Sequence, residues 1–348
     1  MENCRILTVL TGGTICSEAN ENNENISVGE NAQRKIIANF KESCSPYAKK
    51  AEFDVVSLKK DVLSENMTLD IWGELLELFR RENTWDNYRG IIVLHGTDTL
   101  AYTSAFLSLV LSGAPLPVIL VSAQLDLNQK ETNGYDNFKA AAELIMKGIA
   151  PNVYVVYRNC EDEYDPRSES GEMLVHYGAS LKQCKEYSHN FFSKNCENID
   201  SFKGKAFATN SFLAKRIKEP AKGVLLIKPY TGLDYSRFCL DGVKVVLHTG
   251  YHSQTLCIGE GEDSPYSVLY LLKKCKEKSI PCILTPCNEN AYTYSTTGEF
   301  LRKGGYGIYG MTEETAYVKT VVGLSLGKEG EMLLDFLKTE INGEFIYK

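Results

Sequence analysis

No apolar run in the chain approaches the roughly 18 residues that a membrane-spanning helix requires. There is no excess of positive charge. Thirty-eight Lys and Arg stand against 45 Asp and Glu, for a net charge of −7, and the basic residues are dispersed. Nothing here makes an electrostatic case for DNA or RNA. The 11 cysteines are scattered, odd in number and without a Cys-x-x-Cys pair. A disulfide framework is therefore not expected, and a reduced cytoplasmic compartment is. Met1-Glu2-Asn3 leads straight into a strand pattern, so no signal peptide is expected. Clustered zinc ligands are missing too. The nearest pair is His248 and His252 in "LHTGYHSQ", where the glycine just after a strand-like run argues for a loop. No internal repeat and no low-complexity tract is visible.

What is there is the composition of a soluble globular protein, 43% hydrophobic and 24% charged, and 348 residues suffice for two domains. Short apolar, β-branched runs recur: "RILTVL", "EFDVVSL", "GIIVLHG", "PVILVSA" and "NVYVVY", then "GVLLIKP", "GVKVVLH" and "PCILTP". Amphipathic stretches lie between them. In "TLDIWGELLELFRREN", Ile71, Leu75 and Leu78 repeat at helix spacing, with Trp72, Leu76 and Phe79 beside them and Thr68 placed to cap the start. The alternation predicts an α/β fold: a doubly wound, mostly parallel sheet domain followed by a smaller α/β domain with a parallel sheet. It breaks at 159–220, where "NCEDEYDPRSESGE" reads as a looped insert. The expected boundaries are a first domain at 1–205, a connector at 206–220 ending on Pro220, and a second domain at 221–348.

Open parallel sheets collect ligands at the carboxyl ends of their strands. Three polar clusters follow the first three strands: "TGGTI", "LSENMT" and "HGTDTL". In the first, Gly12 and Gly13 permit a sharp turn and close approach of a ligand, leaving Thr14 on the turn. Thr14 is either a nucleophile or part of a plain glycine turn, since a hydroxyl needs an activating neighbour to react. In the third, Thr97, Asp98 and Thr99 either cap the helix that follows or present a hydroxyl and a carboxylate to a substrate.

Taken together, Thr-Gly-Gly-Thr-Ile near the N-terminus and His-Gly-Thr-Asp-Thr after the third strand resemble the bacterial-type L-asparaginases, most of all the cytoplasmic type I group. "SENMTLDIW", "LAYTSAFLSLVL", "PVILVSAQ" and "YGIYGMTEETAYVKTVVGLSL" extend the likeness over most of the chain. The resemblance implies hydrolysis of a side-chain amide. Thr14 would attack the amide carbonyl to form an acyl-enzyme, with Thr97 and Asp98 completing the catalytic group. Asp98 would also hold the substrate α-ammonium, and Ser64 the α-carboxylate. Glu65, Gly13 and Gly96 would line the substrate, and backbone N–H groups of the glycine turn would face the oxyanion. L-asparagine is the expected substrate, L-glutamine or a related amide the alternative. No cofactor or metal is implied, and the partners expected are further copies of the chain in a homodimer or homotetramer.

Two residues depart from the family pattern. Ile26 stands where the family has a loop tyrosine. Gln183, in "YGASLKQCK", stands where it has a lysine, with Lys182 one residue earlier. A one-residue slip in a strand turns a side chain to the other face, and a glutamine can hydrogen-bond but cannot act as a base. These departures motivate a further reading, a weakly catalytic or purely binding protein on this scaffold; a subunit of a tRNA-dependent amidotransferase is a separate alternative. In the family a neighbouring subunit adds a residue to each site. Glu299 and Gln254 are the candidates here.

Overall fold

The computed structural model describes residues 4–13, 15, 17–19, 26–28, 31–81, 83–206, 212–287 and 294–346. They form two compact units. One comprises Met1–Pro220 with Ile341–Gly343, the other Ala221–Glu340 with Glu344–Lys348.

The first unit runs β1 (Arg5–Gly12), β2 (Ser17–Ala19), β3 (Ile26–Val28), α1 (Ala32–Glu42), β4 (Glu52–Val62), α2 (Leu69–Arg80) and α3 (Asn83–Asp86). It continues with β5 (Gly90–Leu94), α4 (Leu100–Val110), β6 (Val118–Val121), α5 (Gly134–Lys147), β7 (Val153–Cys160), β8 (Ser170–Tyr177) and β9 (Cys196–Asn198). Seven strands make one sheet in the order β4-β1-β5-β6-β7-β8-β9. The first five are parallel. Their continuously apolar runs follow from burial on both faces. Ile6, Leu10, Ile92 and Leu94 pack with α1 and α5. The alternate residues Leu7, Val9, Ile91 and Val93 are equally buried and face the other layer. There α2 and α4 meet, with the Trp72 and Phe106 rings stacked 4.5 Å apart. Thr68 caps α2 by accepting from the Ile71 N–H at 3.4 Å.

The insert expected at 159–172 is only partly loop. β8 folds back antiparallel on β7 and β9 on β8, so the polar run 161–169 is the turn of a hairpin. Near the C-terminus, Asn342 donates to the Ser108 carbonyl at 2.8 Å and the Asn152 Oδ1 at 2.9 Å, bringing 341–343 into this unit.

The second unit contains β10 (Val224–Ile227), β11 (Val245–His248), α6 (Val268–Glu277), β12 (Cys282–Cys287), α7 (Ser295–Arg302), β13 (Tyr306–Tyr309), α8 (Glu313–Ser325) and α9 (Gly330–Lys338). Its four strands lie parallel in sequence order. Strand residues alternate between two cores. Val246, Cys282 and Leu284 pack against α6 and α7, while Val245, Leu247 and Ile283 pack against α8 and α9. Lys319 and Glu344 are fully buried and paired at 2.7 Å, with the Leu337 and Thr339 carbonyls taking further ammonium bonds. His248 ends β11. Its Nε2 lies 2.7 Å from the Tyr235 hydroxyl and its Nδ1 bonds the Thr249 carbonyl, so both ring nitrogens are engaged. His252 is exposed, beyond the strand end.

Burial pushes His248 and His176 down to about 4 from 6.5. The unfolded chain then binds more protons than the folded one between those values, so stability rises with pH across that window. Unfolding by urea should show full stability above pH 6.5 and a falling midpoint down to about pH 4. His176→Phe should flatten part of that slope.

Candidate active site

The chain leaves β1 toward β4 and leaves β5 toward β6. The carboxyl ends of β1 and β5 therefore border the crevice where connections diverge, the usual ligand position in such sheets. The segments after β1, β4 and β5 meet there.

Gly12 ends β1 and Gly13 follows it, with φ of +105° and +85°, a region in which an L side chain is strained. Space excludes a side chain as well. A Cβ on Gly12 would lie 2.0 Å from the Val62 carbonyl oxygen, and one on Gly13 would lie 2.2 Å from the Gly96 Cα. A Cβ on Gly96 would in turn meet the Ser64 Oγ at 2.5 Å and the Gly13 Cα at 2.9 Å. Two loops and a serine are in backbone-level contact. The Gly13 N–H donates to the Val62 carbonyl at 3.0 Å, tying the turn to the neighbouring strand.

Ser64 is buried in a single 3-10 turn, Ser64–Asn66. Its hydroxyl donates to the Asp98 Oδ2 at 3.1 Å and accepts from the Asp98 N–H at 3.2 Å. The Thr99 hydroxyl donates to the Ser64 carbonyl at 2.8 Å. Asp98 is exposed and Thr97 half-buried. A carboxylate that accepts from one hydroxyl and faces solvent keeps acceptor sites for a cationic group. Thr99 is the N-cap of α4, yet its side chain makes no capping bond. The capping role open to this motif in the sequence goes elsewhere: the Ala101 N–H donates to the Gln183 Oε1 at 3.4 Å. Gln183 Nε2 donates to the Thr97 carbonyl at 2.7 Å.

His95 is a residue that motif reading passes over. It is fully buried, with Nδ1 2.7 Å from the Gly96 carbonyl and Nε2 2.9 Å from the Thr103 Oγ1. The carbonyl only accepts, so Nδ1 carries the proton and the Thr103 hydroxyl donates to Nε2. Trp72 Nε1 donates to the same hydroxyl at 3.1 Å. Burial holds the imidazole down to about 4, hence neutral. The chain Trp72–Thr103–His95 fixes the Gly96 carbonyl. Its signal in the sequence is its place at the head of the His-Gly-Thr-Asp-Thr motif, where it closes an otherwise apolar run, and the motif alone gives it no role.

Thr14 lies outside the described residues. Ile26 opens β3, and nothing further is described of its side chain. Ser64, Asp98, Gly13 and Gly96 come together, and Gln183 joins them through the Thr97 backbone. Glu65 and Lys182 are exposed. The segment carrying Lys182 and Gln183 is not a strand. It follows a 3-10 turn at Gly178–Ser180 and forms one isolated antiparallel bridge, Lys182 to Phe192. The Cys184 thiol is pushed up to about 12 by burial and by the Asp98 charge, so it stays protonated. Among the described residues no group of three or more His, Cys, Asp or Glu side chains is arranged to hold a metal. In the second unit, Glu299 is half-buried on α7, and Gln254 sits at φ +59° with its carbonyl accepting from the Thr297 hydroxyl at 2.9 Å.

The model of the asparaginase N-terminal domain matches residues 5–212, more than half of the chain. The chain belongs to the asparaginase family. Two relatives are glutamyl-tRNA(Gln) amidotransferase subunits D, from Methanosphaera stadtmanae and Methanobrevibacter smithii. They are 24% and 26% identical over 82% and 85% of this chain. The matches span 65% and 67% of the relatives' own lengths. An L-asparaginase from Thermococcus kodakarensis is 29% identical over 44% of this chain and 44% of its own. The fold is that of solved family members. The thermostable L-asparaginase from Thermococcus kodakarensis superposes with a TM-score of 0.72 at 19% identity, covering 99% of this chain and 100% of its own. L-asparaginase I from Vibrio cholerae superposes at 0.68 and 20% identity, covering 98% of each chain.

The contact between the glycine loops makes a direct prediction. Gly96→Ala should lower the unfolding free energy by about 1–3 kcal/mol, the usual cost of overpacking. Gly96→Ala should cost less in a Ser64→Gly background, though not nothing, because the Gly13 backbone remains 2.9 Å from the new methyl. Urea unfolding of the single and double variants measures both.

Proposed function

We propose that the chain is an amidohydrolase that converts L-asparagine to L-aspartate and ammonia through an acyl-enzyme on Thr14. The Thr14 hydroxyl attacks the side-chain amide carbonyl, its proton leaving to a basic group of the site. The tetrahedral adduct expels ammonia, and water then cleaves the ester to release the acid and restore Thr14. Splitting the hydrolysis in two is the benefit of covalent catalysis. Thr97 assists the proton transfers. Asp98 holds the α-ammonium, Ser64 the α-carboxylate, and Glu65 borders the amino-acid end. Backbone N–H groups beside Gly13 and Gly96 stabilise the oxyanion. Water is the only co-reactant required.

The observation that carries this reading is the Ser64–Asp98 pair, bonded at 3.1 and 3.2 Å against the Gly13–Gly96 contact. A hydroxyl that can turn its single proton from Asp98 to an incoming carboxylate, beside an exposed carboxylate that can take an ammonium, suits a small zwitterion. Assembly as a homodimer or homotetramer, with Gln254 or Glu299 reaching a neighbouring copy, belongs to the same reading. So does a cytoplasmic setting. A second reading is favoured by the amidotransferase subunits D among the relatives, namely a role as one subunit of such an enzyme. Co-purification with a partner chain would mark it. A weakly catalytic or purely binding protein is motivated by Ile26 and Gln183.

Ammonia release from L-asparagine and L-glutamine tests the proposal. The wild type should turn over asparagine, and Thr14→Ala should lose at least about 10³-fold in kcat, as removal of a nucleophile does. Asp98→Asn should raise KM about 10- to 100-fold, the worth of a hydrogen bond to a charged group. Turnover unchanged in Thr14→Ala would reject the threonine mechanism. Binding of asparagine without turnover in the wild type would leave the binding role.

A further inference from the structure

We infer that Gln183 is a positioning residue, a two-point clamp that sets the Thr97–Asp98 turn for the reaction proposed above and exchanges no proton itself. The inference rests on that reading for its catalytic consequence, and on geometry for the clamp.

The first turn of a helix leaves N–H donors without intrahelical partners. At the start of α4 the local side chains that would normally satisfy them are committed to Ser64. Ser64 Oγ bonds both the Asp98 carboxylate and its N–H, and the Thr99 hydroxyl bonds the Ser64 carbonyl. Gln183 takes over. Its Oε1 accepts from the Ala101 N–H at 3.4 Å and its Nε2 donates to the Thr97 carbonyl at 2.7 Å. The same carbonyl accepts from the Leu100 N–H at 3.3 Å. One carboxamide thus brackets the turn from both sides of Asp98. Only a side chain with a donor and an acceptor at its tip can do this. A lysine at 183 has donors alone and would leave the Ala101 N–H unanswered.

The clamp itself is anchored. Asn190 exchanges two bonds with the Cys160 backbone, at 2.7 and 2.9 Å, and Asn159 exchanges two with the Phe191 backbone, at 3.1 and 3.0 Å. The Lys182 N–H donates to the Phe192 carbonyl at 3.0 Å. The segment 182–192 is therefore pinned to the carboxyl end of β7, and Gln183 reaches the turn from a rigid base. Thr97 and Asp98 keep their orientation because this side chain, and not a local cap, holds the helix start.

Two variants and two readouts test it. Gln183→Met keeps the length and removes both bonds. Amide hydrogen exchange across 98–103 should quicken about 10- to 100-fold, the loss of two ordinary hydrogen bonds. In the active enzyme kcat/KM for asparagine should fall by a similar factor, with an unchanged pH profile. Gln183→Glu keeps the acceptor, and regains the donor only when its carboxyl is protonated. Its activity relative to wild type should therefore climb as pH falls through the carboxylate range, a limb absent from the wild type and from Gln183→Met. Unchanged exchange in Gln183→Met, or quickened exchange with unaltered kcat/KM, would overturn the inference. A shifted pH profile in Gln183→Met would also overturn it, by showing that the carboxamide acts on a titrating group of the site and not on the turn alone. If the wild type releases no ammonia, the amidohydrolase reading falls while exchange across 98–103 still decides the clamp. If Gln183→Met fails to fold, Gln183→Glu carries the test alone, and the absence of its acid-side recovery counts against the clamp.

Discussion

The site depends on the approach of two backbones. Gly13 and Gly96 lie so close that a methyl on either would enter the other's main chain. That contact sets how near the β1 and β5 loops stand, and Ser64 fills what room remains. A few tenths of an ångström there move Ser64, and with it the Asp98 carboxylate that its hydroxyl bonds. The glycines therefore act less as flexible joints than as spacers of zero width. Gly13 needs its positive φ as well. Gly96 needs only the absence of a side chain.

Around this contact the protein ties its backbone carbonyls to packed side chains. The Gly96 carbonyl is held by His95, which is held by Thr103 and in turn by Trp72 on another helix. The Thr97 carbonyl is held by Gln183. Gln183 reaches in from a segment pinned to β7, and the Thr97 carbonyl also accepts from the Leu100 N–H of its own turn. The Trp72–Thr103–His95 part is buried and resists rearrangement, because breaking one link leaves a buried polar group unsatisfied. His95 serves this purpose by staying neutral. A charged imidazole would have two donors and no acceptor for the Thr103 proton.

Much of this architecture is legible in the amino-acid order. Eight apolar runs form eight strands because parallel strands covered on both faces carry a continuous apolar signal. The helix at 69–80 and its Thr68 cap follow from spacing alone. β8 and β9 are not legible in this way. In "SGEMLVHY" one face is half-exposed and the run mixes polar with apolar residues, so it lacks the signature of a covered strand. The Thr97–Asp98–Thr99 motif leaves two readings open, capping or display, since both use the same residues at a helix start.

The sequence by itself determined the alternation of strands and helices, the family and the clusters that end three strands, because these are written in local periodicity and short motifs. Tertiary structure alone decided which residues serve those clusters. Gln183 stands 82 residues from Ala101, and Ser64 stands 34 from Asp98. Such separations carry no local signal. They are closed by the sheet order, which brings the ends of β1, β4 and β5 together, and by the anchoring of 182–192 on β7. Whether a glutamine is a lost lysine or a helix clamp depends on what lies within 3.4 Å of its two terminal atoms, and only the folded chain specifies that.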